Sequence, residues 1–598
     1  MADEGLSRMS LTEISGAIAK REVSSKEVVL NTLELLENQG TSLNCVARLF
    51  TEDALNDAEL ADQELTYGNS RGLLHGVPLT HKDMFYRKGK ITGCGSKICE
   101  NYTPSITATA LIKLDSSGAL DIGRLNMVEF AYGLTGHNEI IGNVHNPLSL
   151  EHITGGSSSG PAAAVSGNLS YGSLGSDTGG SIRFPASCCG LVGMKPTYGL
   201  VSRYGAMPLS FSLDHIGPIT RTVTDCALLT QIISGPDEND PTSLKRQKHN
   251  YLEKIESGIN GIKIGVPRTH FFDIIDGEVL REMKKSLEVF MVLGAEILEI
   301  DLPESFNLSN EMANIITAVE GNSAHKKWLK DRPEDYGRQT WKRLLSGSMI
   351  FAHDYLEALK LRKVILKEFL QYVFEKVEIL HVPVVPIPVP TIAESDIQAN
   401  PGFIEFLSNL GHCTRPFDYL GLPAVSVPAG KTDNGLPTGF QLVAPPLDEA
   451  LLFIAARAYD KEKPWDLHPT NSLTNSVHDD RGMQYPPENP NMAIKNNRKI
   501  FLLIICKILH WLYNSLQLIT LNFNMPTLNE IQEAHNRIKS FIHTTPVLTN
   551  SSLNDLANAE LYFKCENFQK AGSFKIRGAS NTVLQSVSYT HLTLPTKA

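Results

Sequence analysis

Three short segments in the first third of the sequence carry residues that together could perform acyl transfer. Lys82 ends a short apolar run that begins at His75, Ser157 lies in the glycine-flanked run Gly155–Gly160, and Ser181 follows two glycines. A serine hydroxyl is a weak nucleophile until a base removes its proton. A lysine can act as that base only when burial or neighbouring groups lower its pKa from about 10.4. The second serine can relay the proton, so Lys82, Ser157 and Ser181 are candidates for one catalytic unit.

The segment before Ser181 is suited to stabilising negative charge on a carbonyl oxygen. Two consecutive glycines, Gly179 and Gly180, precede the serine. Consecutive glycines leave backbone N–H groups free to point at such an oxygen, which is the geometry of an oxyanion hole. The three segments therefore fit one acyl-transfer site.

Each segment also fits another structure when it is taken alone. Gly156–Gly160, with Ser158 at its centre, matches the nucleophile elbow G-x-S-x-G of α/β-hydrolases, but no Asp and His follow in a matching context. Asp177–Gly179 matches half of an aspartic protease site, although the sequence has no second D-[ST]-G triplet. Glycine–serine runs are commonly loops, and a single lysine is commonly a surface group.

The elements predicted around these segments indicate an α/β domain. Apolar residues at helical spacing predict two helices in residues 7–62, with a capping box at Ser24 and Glu27. Residues 73–229 alternate short apolar runs with glycine turns, which favours an α/β core. Further strands are predicted at 262–266, 379–385, 424–429 and 439–443, and further helices at 278–292, 357–374 and 450–459.

Composition and charge exclude several other classes of protein. A chain of 598 residues with 42% hydrophobic and 20% charged residues is neither wholly disordered nor a polytopic membrane protein. Its net charge of -10 disfavours non-specific nucleic-acid binding. The 9 cysteines include no C-x-x-C pair and no cluster with metal-ligand spacing. We expect a cytoplasmic enzyme without a signal peptide, a metal or a cofactor, acting on a small molecule away from nucleic acid and membranes, and we leave a homodimer open.

Taken together, the segments closely resemble the amidase signature family. The resemblance covers residues 7–467 and is nearly continuous from GGSSSG at Gly155 to SRYG at Gly205. It implies a central mixed β-sheet flanked by helices. It also implies an enzyme that hydrolyses a carboxamide to a carboxylate and ammonia or an amine through an acyl-serine. Lys82 matches the family's base, Ser157 its relay serine with a cis peptide bond, and Ser181 its nucleophile.

The resemblance also assigns roles around the triad. Thr178, Gly179 and Gly180 match the backbone of the family's oxyanion hole, together with Ser181 itself. We expect Asp177 and Arg183 to brace this loop as a partly buried pair. Ser158 is expected to give structural support as well.

Within the family, the sequence is nearest to the A subunit of glutamine-dependent tRNA amidotransferases. That subunit carries an aspartate that holds the amino group of glutamine, and Gly411 stands at the matching position here. Arg343 matches its carboxylate-binding arginine. We therefore predict a free-standing amidase. The alternatives are an amidotransferase A subunit, which would need partner subunits, and a non-catalytic scaffold of the same fold.

The C-terminal part of the chain has a different character. Residues 468–525 are predicted to be a linker-like readthrough segment, in which Lys507 and His510 interrupt the apolar stretch 500–523 and disfavour a membrane helix. Residues 526–585 resemble the opening of a serine/threonine dehydratase of pyridoxal-phosphate fold type II, a truncated α/β fragment in which Lys575 matches the lysine that binds the cofactor. Pyridoxal phosphate would be expected only if that fragment were complete. Residues 586–598 resemble a translated adapter tail.

Overall fold

The computed structural model describes residues 3–246, 249–396 and 409–465, and the backbone of 547–548 and 563–564. The chain divides into one unit at Met1–Val477 and a second at His478–Ala598. In the second unit, Val547–Leu548 and Phe563–Lys564 pair as short antiparallel strands. The predicted linker, the adapter-like tail and most of the dehydratase-like segment, including Lys575, lie outside the described residues, so these interpretations stay predictions.

The first unit contains strands and helices in alternation. In chain order its strands are β1 (Val46–Leu49), β2 (Pro78–Lys82), β3 (Leu120–Leu125), β4 (His145–Asn146), β5 (Ser149–Ile153), β6 (Ser173–Asp177), β7 (Val192–Lys195), β8 (His215–Thr220), β9 (Lys263–Pro267), β10 (Glu296–Ile300), β11 (Ile379–Pro383), β12 (Ala424–Lys431) and β13 (Pro437–Val443).

The described helices lie between and around these strands. They are α1 (Glu4–Arg8), α2 (Leu11–Ala19), α3 (Ser25–Leu35), α4 (Thr51–Thr66), α5 (Thr109–Ser116), α6 (Ser159–Ser166), α7 (Arg183–Cys188), α8 (Val223–Ile233), α9 (Gly277–Val292), α10 (Ser309–Asp331), α11 (Arg338–Ser346), α12 (Ala352–Phe374), α13 (Arg415–Leu420) and α14 (Glu449–Glu462). None of the helices in the described ranges is long and apolar enough to cross a membrane.

Most of the strands form one mixed sheet. Its order is β10-β9-β11-β13-β12-β7-β8-β6, with β9 parallel to both neighbours and the remaining pairs antiparallel. A smaller sheet has the order β1-β3-β2, in which β2 is parallel to β3 and β1 is antiparallel to it. The predicted α/β class with a central mixed sheet is confirmed.

Helices cover both faces of the large sheet because successive strand residues point to opposite sides. On one face, Ile379 and Leu442 pack with α8, α9 and α14. On the other face, their neighbours Leu380 and Val443 pack with α10, α12 and α13. The sheet is therefore buried on both sides, as strands without alternating polarity predict.

The N-terminal region differs from its prediction. Residues 7–62 hold several helices and strand β1 where two helices are predicted. The predicted capping box is present, since the Glu27 amide donates to Ser24 Oγ at 3.1 Å and the Ser24 amide donates to Glu27 Oε2 at 2.9 Å. Strand β1 escapes prediction because it is short, half-buried and held by pairing with the distant β3.

A seam joins the smaller sheet to the edge strand of the large one. Thr80 Oγ1 donates to Ser170 Oγ at 2.9 Å, and the Leu174 amide donates to His81 Nδ1 at 3.2 Å. These contacts lay β2 alongside β6. The last residues of the two strands, Lys82 and Asp177, thereby reach the same region.

Candidate active site

Lys82 is completely buried at the end of β2. Its ammonium nitrogen donates to Ser157 Oγ at 2.8 Å and to Ser176 Oγ at 2.9 Å. Burial lowers the pKa of Lys82 to about 7, although Asp177 and Asp214 pull it upward. A large fraction of this lysine is therefore neutral near pH 7, which is what a general base requires.

Asp83 faces away from Lys82 and is held by other groups. Its carboxylate accepts from Arg48 Nη1 at 2.7 Å and from the Gly93 amide at 3.0 Å. Adjacent residues of an extended segment point to opposite faces. The carboxylate next to the base in sequence is therefore engaged elsewhere.

Ser157 follows the cis peptide bond between Gly156 and Ser157, as the resemblance implies. Helix α6 begins two residues later and packs closely, because a Cβ on Gly160 would lie 2.4 Å from the Asn126 carbonyl oxygen. This tight packing fixes the Ser157 hydroxyl on the Lys82 ammonium. The Ser158 amide donates to the Ser181 carbonyl at 3.3 Å, and the Ser158 hydroxyl donates to the Ser176 carbonyl at 3.4 Å.

Ser181 lies on the loop that enters α7, with 4% of its surface exposed. The contact from the Ser158 amide places the Ser157 and Ser181 segments side by side. Among the described residues, no hydrogen bond joins the two serine hydroxyls. Hydrogen bonds of catalytic groups are often long before substrate binds.

The loop before Ser181 has a conformation that only glycine adopts easily. Gly180 has a φ of +125°, and a Cβ there would lie 2.3 Å from Thr414 Oγ1. Thr414 Oγ1 also donates to the Gly179 carbonyl at 2.7 Å. The loop is thus held from outside by the turn that precedes α13.

The prediction for Gly180 as an oxyanion donor needs correction. Its N–H group donates to Asp177 Oδ1 at 2.6 Å, because the Asp177 carboxylate folds back over the loop. Among the described residues, the N–H groups of Thr178, Gly179 and Ser181 meet no acceptor. These amides, rather than that of Gly180, are available for an oxyanion.

Asp177 and Arg183 form a fully buried ion pair, whereas a partly buried pair is expected from the sequence. The Arg183 guanidinium donates to Asp177 Oδ2 at 3.0 Å and to Asp418 Oδ2 at 2.7 Å. Burial alone would raise the pKa of Asp177, but the Arg183 charge outweighs it and holds the pKa below its ordinary value. The pair is therefore ionised and structural.

Several residues of the site escape the sequence reasoning. Ser176 Oγ contacts the Lys82 ammonium from β6. Asp214 accepts from Thr178 Oγ1 at 2.6 Å, and burial raises the pKa of Asp214 to about 6. Ser176 could have been found as a hydroxyl on the strand that leads into the nucleophile loop, whereas Asp214 and Thr414 lie in distant segments without a motif.

Arg343 lies on α11 and reaches the site through residues 132–133. Its Nη1 donates to the Tyr132 carbonyl at 2.6 Å, and the guanidinium carbon is 5.7 Å from the Tyr132 ring centre. The carbonyl oxygen of the next residue, Gly133, packs against the serine loop, because a Cβ built on Gly156 would lie 3.1 Å from it. Arg343 thus lies one residue away from contact with the loop that holds Ser157.

Within residues 3–246, 249–396 and 409–465, no group of three or more His, Cys, Asp or Glu side chains is placed to hold a metal ion. The described site consists of hydroxyls, one lysine and backbone amides around a buried ion pair. Such an arrangement supports nucleophilic acyl transfer with a lysine base.

Comparison with known proteins agrees with this geometry. The family model Amidase matches residues 27–453. The A subunit of glutamyl-tRNA(Gln) amidotransferase from Geobacter metallireducens is 35% identical over 480 residues, which is 76% of this chain and 98% of that protein. Other curated relatives carry the same name.

Solved structures share the fold over the same region. A chain of a vestigial protein complex that reveals the evolutionary origins of an s-triazine catabolic enzyme has a TM-score of 0.71 and 31% identity, over 76% of this chain and 99% of that one. The crystal structure of an amidase has a TM-score of 0.67 and 33% identity, over the same shares. The family match covers the triad segments and most of the described residues, so this chain belongs to the amidase signature family, whose members are hydrolases acting on amide C–N bonds.

Proposed function

We propose that this chain hydrolyses the C–N bond of a small carboxamide through an acyl intermediate on Ser181. The observation that carries the proposal is the buried Lys82, whose ammonium contacts the Ser157 hydroxyl at 2.8 Å and whose pKa burial lowers to about 7. A lysine kept in this state can accept a proton at neutral pH. If Lys82 served only as a fixed positive charge, a carboxylate in direct contact would stabilise that charge. Lys82 instead donates to two serine hydroxyls.

The first half of the reaction forms the acyl-enzyme. Ser157 passes a proton to neutral Lys82 and takes one from Ser181, whose oxygen attacks the carbonyl carbon. The amides of Thr178, Gly179 and Ser181 stabilise the oxyanion. The C–N bond then breaks, and the nitrogen leaves as ammonia or an amine after it receives the proton through the same relay.

The second half regenerates the enzyme. A water molecule loses a proton to Lys82 through the relay and attacks the acyl-serine carbonyl. The ester C–O bond breaks, Ser181 recovers its proton, and a carboxylic acid leaves. The sum is an amide plus water giving a carboxylic acid plus ammonia or an amine, which exchange a proton at neutral pH to become a carboxylate and an ammonium ion. Asp177 and Arg183 position the loop throughout and exchange no proton, because their mutual charge keeps both ionised.

Ammonia release from a panel of aliphatic, aryl and amino-acid amides tests the proposal. We expect turnover of at least one amide and its loss in Ser181→Ala by about 10³-fold or more, with the fold intact. Ser159→Ala is the matched control, because its buried hydroxyl lies in the same serine run and has no partner within the described residues. Activity of Ser181→Ala within about tenfold of wild type would exclude Ser181 as the nucleophile.

A second candidate is the A subunit of a tRNA-dependent amidotransferase, which would pass ammonia to a partner subunit. The names of the curated relatives favour this role over the free-standing amidase that the sequence predicts. Gly411 favours the free-standing enzyme, because it stands where the A subunit carries its ammonium-binding aspartate. Co-purification of this chain with further subunits, and glutamine hydrolysis that rises when tRNA is added, would select the second candidate.

A further inference from the structure

A pair of arginines lies beside the catalytic loop, and they come from different elements. We infer that Arg415, beside Arg343, binds a carboxylate on the acyl part of the substrate, and that Gly411 supplies no carboxylate for an ammonium group. The substrate class is then a carboxamide whose acyl chain carries a carboxylate and no amine. This inference rests on the proposed function and narrows it.

Arg415 begins α13 and extends over the nucleophile loop. A Cβ built on Gly179 would lie 3.7 Å from Arg415 Nε and 3.8 Å from its Cγ. The preceding residue, Thr414, donates to the Gly179 carbonyl at 2.7 Å, which fixes where the arginine starts. The Arg415 stem therefore packs directly on a glycine whose amide we assign to the oxyanion hole.

Gly411 leaves the space that the Arg415 guanidinium fills. A Cβ at position 411 would lie 2.2 Å from Arg415 Nη2, so any side chain there would displace the guanidinium or meet it. An aspartate at this position would neutralise the arginine. Because this chain has glycine at position 411, a ligand meets the positive guanidinium of Arg415 there. An aspartate would instead present a negative carboxylate.

Among the described residues, none of the carboxylates contacts the Arg415 guanidinium and neutralises its charge. Its side chain donates to the neutral Asn310 Oδ1 at 3.3 Å, and no carboxylate in the described ranges lies within 4 Å. Asp418 attracts it from farther away, but that carboxylate is bound to Arg183. A desolvated guanidinium without a contact anion is unfavourable, and a bound carboxylate would offset that cost.

Arg343 adds a second positive group to the same region. Arg343 and Arg415 are close enough to repel each other, and the Tyr132 hydroxyl lies within electrostatic range of both. Burial lowers the pKa of each arginine to about 10, so both stay protonated at neutral pH. Guanidinium groups bind carboxylates with two parallel hydrogen bonds, which supplies orientation as well as affinity.

The charge pattern separates two substrates that differ by one group. Glutaramate is glutamine without its α-ammonium, and butyramide is glutaramate without its carboxylate. The site offers the Arg415 guanidinium to the carboxylate, and the positive charge of Arg343 lies nearby. It offers the ammonium of glutamine no carboxylate at position 411, and the two arginine charges repel that group. We expect monoamides of dicarboxylic acids to be preferred over both glutamine and neutral amides.

The test measures kcat and KM for malonamate, succinamate, glutaramate and adipamate, each beside the amide that lacks the carboxylate, and for glutamine. We expect the best monoamide to exceed its neutral counterpart and glutamine in kcat/KM by about 100-fold. Neutral amides hydrolysed as well as the monoamides, or glutamine preferred over all of them, would overturn the inference. Hydrolysis of no amide and no Ser181 acylation would instead overturn the proposed function.

Three substitutions show which residues cause the preference for monoamides. Arg415→Gln should lower the ratio of kcat/KM between the best monoamide and its neutral counterpart by about 100-fold, mainly through KM. Gly411→Asp should lower the same ratio, whereas Gly411→Asn, which adds nearly the same volume without charge, should lower it less. Thermal unfolding shows whether each variant is folded. If the ratio of kcat/KM between the monoamide and its neutral counterpart is the same in wild type and in a folded Arg415→Gln, the arginine does not bind the carboxylate.

Discussion

At the residue scale, the position of Lys82 decides what it can do. The side chain is completely buried, and it donates to the hydroxyls of Ser157 and Ser176. Hydroxyls solvate an ammonium less well than water does, so burial shifts the equilibrium toward the neutral amine. Asp83, the nearest acid in sequence, is held by Arg48 and does not restore the charge.

The pH dependence of the rate follows from this lowered pKa. Only neutral Lys82 can accept a proton, and its pKa is about 7, so kcat/KM should rise through pH 7 and level off above it. Lys82→Arg keeps a positive charge that cannot be removed at accessible pH. We expect that variant to lose activity by about 10³-fold at every pH.

Rate measurements from pH 5 to about 10 on wild type and Lys82→Arg check this prediction. An ascending limb near the ordinary lysine value of about 10.4 would show that Lys82 is a fixed charge. So would an arginine variant with most of the wild-type kcat.

At the element scale, the nucleophile loop is shaped by a buried ion pair and by a turn from a distant part of the chain. Asp177 accepts from the Gly180 amide inside the loop, and Thr414 packs against Gly180 from outside. The loop therefore has little freedom to change its backbone. A fixed loop keeps the oxyanion donors in position without a cost of reorganisation.

Gly180→Ala tests this rigidity. The methyl group would lie 2.3 Å from Thr414 Oγ1 at a φ of +125°, so we expect a loss of about 1–3 kcal/mol in the free energy of unfolding together with a large loss of kcat. Gly435→Ala is the control, because its φ is +79° and nothing lies within 4 Å of the new methyl. It should lose about 1 kcal/mol and no activity. Urea unfolding and steady-state rates of both variants test this prediction. Equal losses of kcat in Gly180→Ala and Gly435→Ala would contradict it.

The elements show which parts of the site a sequence can predict. Lys82, Ser157 and Ser181 can be found because each sits in a local pattern of glycines, serines and a strand. Asp214 and Thr414 cannot, because they reach the loop only through the pairing of β8 with β6 and the packing of α13. The family resemblance assigns the Gly180 amide to the oxyanion hole, while its bond to Asp177 depends on a side-chain conformation that no sequence pattern encodes.

At the scale of the whole molecule, the described catalytic residues all belong to the unit Met1–Val477. The family match ends at residue 453. The sheet, its two helix layers and the triad are formed by residues up to Glu462, where α14 ends. The described residues of the candidate site therefore lie within the first unit.

A chain that ends after Val477 should keep the amidase activity of the full chain within about twofold, because the described residues of the candidate site all belong to the first unit. The measurement is kcat/KM of both forms on one amide, with thermal unfolding to show that the shorter form is folded. An inactive or insoluble short form beside an active full chain would mean that residues after 477 are part of the catalytic fold.

The most direct test of the central claim is the identity of the residue that carries the acyl group. A fluorophosphonate forms a stable adduct with an activated serine, and intact mass followed by peptide mapping locates it. The account predicts one adduct, on Ser181, that is absent from Ser181→Ala, retained in Ser159→Ala and formed at least about 100-fold more slowly in Lys82→Arg. An adduct on Ser157 or Ser158, or labelling of Ser181 that is independent of Lys82, would contradict it.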